Sequence, residues 1–417
     1  MKFGTAGIRD NEEIIIKNAK KIGLAVANLV QFKNENYGIM ITASHNVYTD
    51  NGVKIVNYKG NYISRKEEIY IENFEKSNIL DIFSPKTIYI GHDTRRSSLT
   101  IKELIVSGIK EVNKFIYIID LNYVSTPQHH LLIKLNITNP LYYYKCLQTI
   151  WKPSINLTID CANGVGYIVL KKYIEINKLT NITLINTNIE NHQLLNHNCG
   201  SNSEIPYCKN LHVAIDGDGD RFVFKYNDTL LDGDYIAALY MLGCLNSGVK
   251  NIGIVHTNYS NNAFLNYVQK YKQNLVCTKT GVKHLHKEAT KFNIGIYFEP
   301  NGHGNILIKN PNNEYLKTMK QLNNSAVGDA LSGILSVLYT LEKLNLNSDQ
   351  WTKLFAKIPS VLLKKKVNNK NDYTEKIFIK KGHIIFIRPS GTENILRIYI
   401  EGYNIDDIKD DILNNCK

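Results

Sequence analysis

Residues 211–224 read Leu-His-Val-Ala-Ile-Asp-Gly-Asp-Gly-Asp-Arg-Phe-Val-Phe. A short apolar run, Leu211–Ile215, therefore leads into three aspartates that alternate with glycines, and a second apolar run follows. Apolar runs of this length, bounded by glycine and aspartate, are typical of buried β-strands. The stretch predicts a strand, a sharply curved acidic loop and a second strand.

The acidic loop is the strongest candidate for chemistry. Glycines between Asp216, Asp218 and Asp220 let a curved backbone direct three carboxylates at one point, and oxygen ligands of this kind suit Mg²⁺. An EF-hand loop needs glycine at its sixth position and glutamate at its twelfth, where this sequence has Arg221 and Asn227. A solvated acidic turn is the other alternative, but apolar runs on both sides disfavour it. The loop therefore predicts a magnesium site.

The same order of apolar run and polar loop recurs along the chain between helical patterns, which predicts an α/β fold with functional side chains at the carboxyl ends of strands. Further strands are predicted at 38–41, 87–90, 155–159, 252–255 and 294–298. A packing helix is predicted at Ala326–Leu344. After about residue 357 the pattern changes to alternating strands, at 383–387 and 395–400.

The sequence therefore predicts three similar mixed α/β-sheet domains and a smaller C-terminal α+β domain, arranged around a central cleft. We expect the serine-loop domain at 1–150, the metal-binding domain at 151–247, the sugar-binding domain at 248–357 and the phosphate-binding domain at 358–417.

Three further segments are ambiguous when taken singly. Thr42-Ala43-Ser44-His45-Asn46 follows a strand, but a lone Ser-His pair is more often an ordinary turn than a nucleophile. Residues 388–393, Arg-Pro-Ser-Gly-Thr-Glu, and Arg397 beyond them could hold a phosphate or form a plain hairpin. Residues 298–304, Phe-Glu-Pro-Asn-Gly-His-Gly, could hold sugar hydroxyls or form a structural turn.

Composition excludes several other classes. With 43% apolar and 21% charged residues the chain is an ordinary globular protein. Its net charge of +12 is dispersed, and the densest run, Lys364-Lys365-Lys366, lacks interleaved aromatics, so we expect a solvated basic surface and no nucleic-acid partner. Seven scattered cysteines without a C-x-x-C pair indicate reduced thiols. With no apolar leader or membrane-length run, we expect a cytoplasmic protein without a membrane partner.

Taken together, the segments resemble the α-D-phosphohexomutase family, from residues 3–9, Phe-Gly-Thr-Ala-Gly-Ile-Arg, to Arg397. Within it the chain looks like a shortened member of the phosphoacetylglucosamine mutase branch, because of residues 50–54, 280–286 and 301–304. Relatives that act on other sugars usually have serine where Asn301 stands.

The resemblance implies a reaction and a set of roles. We expect N-acetylglucosamine 6-phosphate and 1-phosphate to be interconverted through phosphorylated Ser44 and a 1,6-bisphosphate, which would also serve as activator, feeding UDP-N-acetylglucosamine synthesis. One Mg²⁺ would be held by Ser44, Asp216, Asp218 and Asp220. Lys54 and His303 match positions for acid and base, and Arg9 and Arg221 would assist electrostatically. The sugar would be held by Glu299 and Asn301, and its phosphate by Arg388, Ser390, Gly391, Thr392 and Arg397.

The chain departs from the family pattern at Val47, where proline is usual, and at Pro300, where a small residue is usual. Neither change removes a reacting group. A sister mutase for glucose, mannose or glucosamine phosphates remains an alternative, as do a metal-dependent phosphatase and a non-catalytic phosphosugar-binding protein. A small phosphosugar is the expected partner of a monomer or homodimer.

Overall fold

The computed structural model describes residues 2–4, 6–78, 85–148, 151–390 and 394–415. Its strands are β1 (Phe3–Gly4), β2 (Gly7–Asn11), β3 (Tyr37–Ile41), β4 (Asp50–Asn57), β5 (Thr87–His92), β6 (Tyr117–Tyr123), β7 (Leu157–Asp160), β8 (Ile182–Ile185), β9 (Cys208–Ile215), β10 (Phe222–Asn227), β11 (Thr229–Leu231), β12 (Gly253–His256), β13 (Asn274–Cys277), β14 (Ile294–Phe298), β15 (Gly304–Ile308), β16 (Ser360–Lys366), β17 (Lys376–Lys380), β18 (His383–Pro389) and β19 (Ile395–Glu401).

Its α-helices are α1 (Glu12–Lys33), α2 (Arg65–Glu72), α3 (Ser98–Val112), α4 (Thr126–Leu135), α5 (Leu141–Cys146), α6 (Val165–Asn177), α7 (Gly233–Asn246), α8 (Asn262–Lys270), α9 (Val282–Ala289), α10 (Glu314–Leu322), α11 (Ala330–Lys343), α12 (Ser348–Thr352) and α13 (Asp406–Asn415). In the ranges given above, no helix is long and apolar enough to cross a membrane.

The strands form four sheets. The first has the order β1-β2-β4-β3-β5-β6, the second β11-β10-β9-β7-β8 and the third β13-β12-β14-β15. All three mix parallel and antiparallel pairs. The fourth sheet, β16-β19-β18-β17, is antiparallel throughout. The predicted α/β class, with a smaller α+β unit at the C-terminal end, is confirmed.

One arrangement recurs in the first three sheets. A lead strand has a parallel neighbour on one side, and after a polar loop the chain returns along its other side as an antiparallel strand. The pairs of lead and return strands are β3 with β4, β9 with β10, and β14 with β15. The three candidate loops therefore occupy the same position in three sheets, at the carboxyl end of the lead strand, where α/β sheets bind ligands.

The hydrophobic cores do not follow the four predicted segments one by one. The first sheet packs with α1 and α3, and the fourth sheet packs with α13. The second and third sheets share one core, which α7 and α11 complete and to which Tyr143 and Tyr144 also belong. Each predicted segment contains one sheet, and the boundaries at 150, 247 and 357 remain predictions.

Single elements differ in their ends from the sequence expectation. The strand at 294–298 is as predicted, whereas the one expected at 155–159 starts at Leu157. The helix expected from Ala326 starts at Ala330, because the side chain of Asp329 accepts the N–H of Ser332 at 3.1 Å and caps the helix there.

Candidate active site

The acidic loop curls because its first aspartate binds its last residues. One oxygen of Asp216, Oδ1, accepts the backbone N–H groups of Asp220 at 3.1 Å and Arg221 at 3.2 Å. Gly219 takes a positive φ of 73°, a conformation that favours glycine. A Cβ on Gly217 would lie 3.0 Å from the carbonyl oxygen of Ser44, so the serine loop packs directly against this backbone.

The geometry and the chemistry of the three aspartates suit a bound cation. One carboxylate oxygen from each lies within 4.8 Å of the others, and all three residues are buried. Three of their oxygens, Oδ2 of Asp216 and Oδ1 of Asp218 and Asp220, are buried without a hydrogen-bond partner among the described residues. Buried acceptors of this kind need a cation or donor. The donor set fits Mg²⁺, which prefers carboxylate oxygens.

Lys54 reaches the aspartates from the return strand β4. Its Nζ lies 2.6 Å from Asp218 Oδ2, 2.8 Å from Asp220 Oδ2 and 3.2 Å from Thr126 Oγ1. Burial alone would lower the pKa of Lys54, but the two aspartates outweigh it and raise that pKa, so Lys54 remains a cation. The hydroxyl of Ser44 also donates to Asp218 Oδ2, at 3.0 Å.

The pKa values of two carboxylates in the cluster shift in opposite directions. Burial, with the charges of Asp218 and Asp220, raises the pKa of Asp216 well above its usual range. Burial also opposes ionisation of Asp220, but His303, Lys54 and Arg221 outweigh it and lower the pKa of that carboxyl. One carboxylate of the cluster therefore resists ionisation, which a bound divalent cation would relieve.

Arg9, Arg221 and His303 surround this cluster. An NH2 group of Arg9 donates to Ser44 Oγ at 3.3 Å, and Nε of Arg221 lies 3.8 Å from Asp216 Oδ2. His303 Nε2 lies 3.8 Å from Asp220 Oδ2 and is buried without a hydrogen-bond partner in the part of the chain described. Burial lowers the pKa of His303. The predicted reacting and electrostatic residues are thus brought together.

The serine loop holds Ser44 in an unusual conformation. Its φ is 54°, in the left-handed region that non-glycine residues seldom adopt, and its side chain is buried. The N–H of Ser44 donates to Thr42 Oγ1 at 2.9 Å, and that hydroxyl donates to Asp93 Oδ2 at 2.6 Å. The hydroxyl of Ser44 is therefore directed at the aspartates by the backbone as well as by its own contacts.

Arg95 binds the serine loop from the adjacent strand end. Its guanidinium donates to four carbonyl oxygens, those of Ser44 at 3.1 Å, Asn46 at 2.8 Å, Val47 at 2.6 Å and Asp50 at 2.8 Å. Its Nε pairs with Asp93 at 3.1 Å, and both side chains are fully buried. A planar fork with several donors can hold a curved backbone in this way, as an ammonium cannot.

Asn196 joins the serine loop to the acidic loop. Its Nδ2 donates to the carbonyl oxygens of Ser44 at 2.9 Å and Asn46 at 3.0 Å, and its Oδ1 accepts the N–H of Gly217 at 3.0 Å. One amide side chain therefore fixes the two loops relative to each other.

Three helices begin at the acidic loop. The first N–H groups of α4, α6 and α11, on Thr126, Val165 and Ala330, each donate at 3.0 Å to carbonyl oxygens of Asp218, Gly217 and Gly219, in that order. These N–H groups would otherwise lack partners within their helices, and the positive ends of the three helix dipoles lie at the acidic loop.

The predicted sugar-binding residues follow β14. Glu299 Oε1 accepts the N–H of Gly281 at 2.9 Å, and Asn301 Oδ1 accepts the N–H of His303 at 3.0 Å. Glu299 also acts electrostatically on His303 and Arg221, so this loop borders the aspartate cluster.

Two of the predicted phosphate-binding residues, Arg388 and Arg397, lie on the fourth sheet. Arg388 and Arg397 are directly opposite each other on β18 and β19, and Arg388 Nε donates to the hydroxyl of Tyr259 at 3.2 Å. The backbone N–H of Ser390 donates to Ile395 O at 2.9 Å. Gly391 and Thr392 lie outside the described residues. Within the described ranges, no hydrogen bond or ion pair joins these two arginines to the aspartates, so they form a separate cluster.

Sequence reasoning missed Arg95, Asp93, Thr126 and Asn196. Asp93 and Arg95 follow β5, the parallel neighbour of β3, and a position at the carboxyl end of a parallel strand is one where α/β sheets bind ligands, so it could have indicated these two residues. Thr126 stands at a Ser-Thr-Pro helix start, which predicts a helix but not a contact with Asp218. Asn196 lies in irregular structure, where the sequence carries no such signal.

Comparison with known proteins adds independent findings. Residues 231–321 match the profile of phosphoacetylglucosamine mutase AMG1, domain III. Residues 33–81 match phosphoglucomutase/phosphomannomutase alpha/beta/alpha domain I, and residues 355–414 match the C-terminal domain of the same proteins.

Relatives extend this similarity over the chain. Phosphoacetylglucosamine mutase 1 of Schizosaccharomyces pombe is 32% identical over 96% of this chain and 95% of its own length, and the Homo sapiens phosphoacetylglucosamine mutase is 29% identical over 96% and 90%. A crystal structure of an N-acetylglucosamine-phosphate mutase in its substrate complex, a member of the alpha-D-phosphohexomutase superfamily, superposes with a TM-score of 0.88 at 28% identity, covering 98% of this chain and 94% of that one. The crystal structure of the Aspergillus fumigatus N-acetylphosphoglucosamine mutase in complex with GlcNAc-6P and magnesium superposes with a TM-score of 0.85 at 28% identity, covering 98% of this chain and 93% of that one.

Proposed function

The chain belongs to the phosphoacetylglucosamine mutase family of the α-D-phosphohexomutase superfamily, and we propose that it interconverts N-acetylglucosamine 6-phosphate and N-acetylglucosamine 1-phosphate. One observation carries the proposal. The hydroxyl of Ser44 lies 3.0 Å from an aspartate whose cluster has three buried, unpartnered oxygens among the described residues. That pairing is what transfer of a phosphoryl group through a serine requires.

Ser44, Asp216, Asp218 and Asp220 would hold one magnesium ion. When bound, it supplies positive charge that offsets the negative charge of the moving phosphoryl group. The rest of the work is positioning, because phosphoryl transfer asks little covalent chemistry of the protein. Arg95 and Asn196 hold the serine loop, and Arg9 contacts the serine hydroxyl itself.

The reaction runs through the phosphorylated enzyme. The Ser44 Oγ–phosphorus bond breaks as the free hydroxyl of the sugar forms its own bond to phosphorus, which gives a 1,6-bisphosphate and an unmodified serine. Lys54 and His303 would share the two proton transfers, in which one group accepts the proton of the sugar hydroxyl and the other protonates the serine oxygen. The bisphosphate then turns end over end, and its other phosphate passes to Ser44 in the reverse of the first step.

Turning of the intermediate requires that both orientations of one sugar be held. Glu299 and Asn301 bind the sugar hydroxyls, and the arginines of β18 and β19 grip the phosphate that is not reacting. Because that grip is the same in both half-reactions, it contributes binding that is uniform along the reaction path. Closure of the fourth sheet on the cleft excludes water and suppresses hydrolysis of phosphorylated Ser44.

The direct test is phosphorus NMR of the purified protein with N-acetylglucosamine 6-phosphate, Mg²⁺ and a trace of glucose 1,6-bisphosphate. We expect a new 1-phosphate resonance that grows at the expense of the 6-phosphate. Release of inorganic phosphate without isomerisation would refute the proposal in favour of a phosphatase. Glucose, mannose and glucosamine 6-phosphates, compared by kcat/KM, separate the sister mutases.

The setting of the reaction is part of the same proposal. The product would feed UDP-N-acetylglucosamine synthesis in the cytosol, and the free state of the six described cysteines favours a reducing compartment. A monomer or a homodimer, with no nucleic-acid partner, is proposed on the sequence arguments alone.

A further inference from the structure

Lys364, Arg397 and Arg388 occupy one row across the fourth sheet. The register pairs Lys364 of β16 with Arg397 of β19, and Arg397 with Arg388 of β18. Directly opposite residues of antiparallel strands project from the same face, with Cβ atoms about 5 Å apart. Three cations from three adjacent strands are therefore next to one another.

The row lies on the face of the sheet that is directed at the third sheet. Side chains two residues apart on a strand share a face, so Phe386 shares that of Arg388. Phe386 and its partner Tyr399 contact the ring of Tyr259, with centroid distances of 4.9 Å and 5.9 Å. The hydroxyl of the same tyrosine accepts the hydrogen bond of Arg388. The opposite face packs on α13.

Among the described residues, the row has no ion-pair partner. Like charges directly opposite each other destabilise a sheet. Within residues 2–4, 6–78, 85–148, 151–390 and 394–415, none of the three cations has an ion pair within 4.0 Å, and Nε of Arg397 is buried without a hydrogen-bond partner. Glu375 precedes β17, next to Arg388 in register, yet forms no such pair with it. An anion is the partner that these groups lack among the described residues.

The register also divides the lysine run at 364–366. Lys365 projects from the opposite face and its Nζ bonds the carbonyl oxygen of Leu413, which makes it a structural residue. Lys364 is exposed on the arginine face, and its flexible four-carbon stem leaves the ammonium free to reach a ligand beside Arg397.

We propose that Lys364 joins Arg388 and Arg397 as the third cation of a phosphate clamp and contacts the non-reacting phosphate of the sugar in both orientations. The inference rests on the proposed function, because the ligand is the phosphosugar assigned there. Arginine supplies directional, forked contacts to phosphate, and the lysine adds a mobile point charge at the outer strand.

The test compares Lys364→Gln with Lys376→Gln. Lys376 is an exposed lysine of the same sheet, and its pairing with Ile387 places it on the opposite face, so it is a matched control for loss of charge. We expect Lys364→Gln to raise KM about five- to tenfold for both sugar phosphates, the effect of one partly exposed charged contact, with a smaller change in kcat. The control should leave both constants within about twofold, as expected of a surface change.

Calorimetry separates this inference from the proposed function. N-acetylglucosamine 6-phosphate is titrated into Ser44→Ala protein with and without Lys364→Gln. An equal rise in Kd supports the third cation even if the wild-type protein shows no turnover, the outcome that would refute the mutase proposal alone. If Lys364→Gln matches Lys376→Gln in KM and in Kd, the third cation is refuted whatever the activity.

Discussion

Replacement of Arg95 by lysine tests whether the serine loop depends on a single guanidinium. Lysine keeps a positive charge beside the buried Asp93 but cannot present the fork that reaches four carbonyl oxygens. Two of those oxygens, on Ser44 and Asn46, also accept hydrogen bonds from Asn196, so they keep a partner when the guanidinium is lost. The net loss is then about two charge-assisted hydrogen bonds, or about 3 kcal/mol in the free energy of unfolding.

Activity should fall further than a structural change alone explains. If the loop shifts by a fraction of an ångström, the hydroxyl of Ser44 is no longer held at Asp218, and kcat should drop about tenfold to a hundredfold with little change in KM. The assays are urea unfolding followed by circular dichroism and steady-state turnover of N-acetylglucosamine 6-phosphate.

The neighbouring Arg96 supplies the matched control. Its side chain is 60% exposed, it pairs with Glu12, and Arg96→Lys should change the unfolding free energy by less than about 1 kcal/mol. If Arg95→Lys behaves like Arg96→Lys in both assays, the serine loop does not rest on Arg95. If stability falls and kcat does not, the guanidinium is structural and does not position Ser44.

Four further outcomes are expected. Ser44→Ala should keep the native circular dichroism spectrum and lose all phosphorus-NMR-detected turnover; measurable turnover would exclude the phosphoserine route. Asp218→Asn should weaken Mg²⁺ binding by about a hundredfold or more, because loss of a metal ligand costs more affinity than loss of a residue that only contacts a ligand. The Kd is measured by titration with Mg²⁺, and a value equal to that of the wild type would contradict the assignment of Asp218 as a ligand. Arg388→Ala should raise KM about tenfold with kcat less affected, and a pure kcat effect would argue against uniform phosphate binding. Burial raises the pKa of Asp329 from 3.8 to about 6, so the folded state binds this proton more tightly than the unfolded state does. The free energy of unfolding should therefore fall by about 3 kcal/mol as pH rises from about 4 to 6. Asp329→Asn should remove this pH dependence from urea-unfolding curves, and an unchanged dependence would refute the argument.

The sequence was most informative where the chemistry is local. Asp216, Asp218 and Asp220 stand within one loop, and alternation with glycine is enough to predict both the curve and the cation. The Ser-His pair alone did not predict a nucleophile, since the burial and left-handed backbone of Ser44 arise from contacts with distant residues. The role of Ser44 could be predicted only from the order of all four segments.

What could not be predicted depends on long-range hydrogen bonds to the backbone. Arg95 is 51 residues from Ser44 and Asn196 is 152, and both bind carbonyl oxygens that every residue type possesses. No pattern of side chains announces such partners. The lysine run at 364–366 could not be divided from the sequence either, because charge density indicates a solvated surface while strand register decides which lysine shares the face of the two arginines.

The convergence of three helix starts on the acidic loop has a consequence for unfolding. Thr126, Val165 and Ala330 belong to chain segments far apart in sequence, yet their backbone N–H groups donate to carbonyl oxygens of three consecutive residues in one short turn. None of the three hydrogen bonds can open without disturbing the same turn, so we expect the first three sheets to unfold as one cooperative unit, with the fourth free to open separately. In native-state hydrogen exchange those three amides should share one opening free energy, and removal of magnesium should lower it for all of them together.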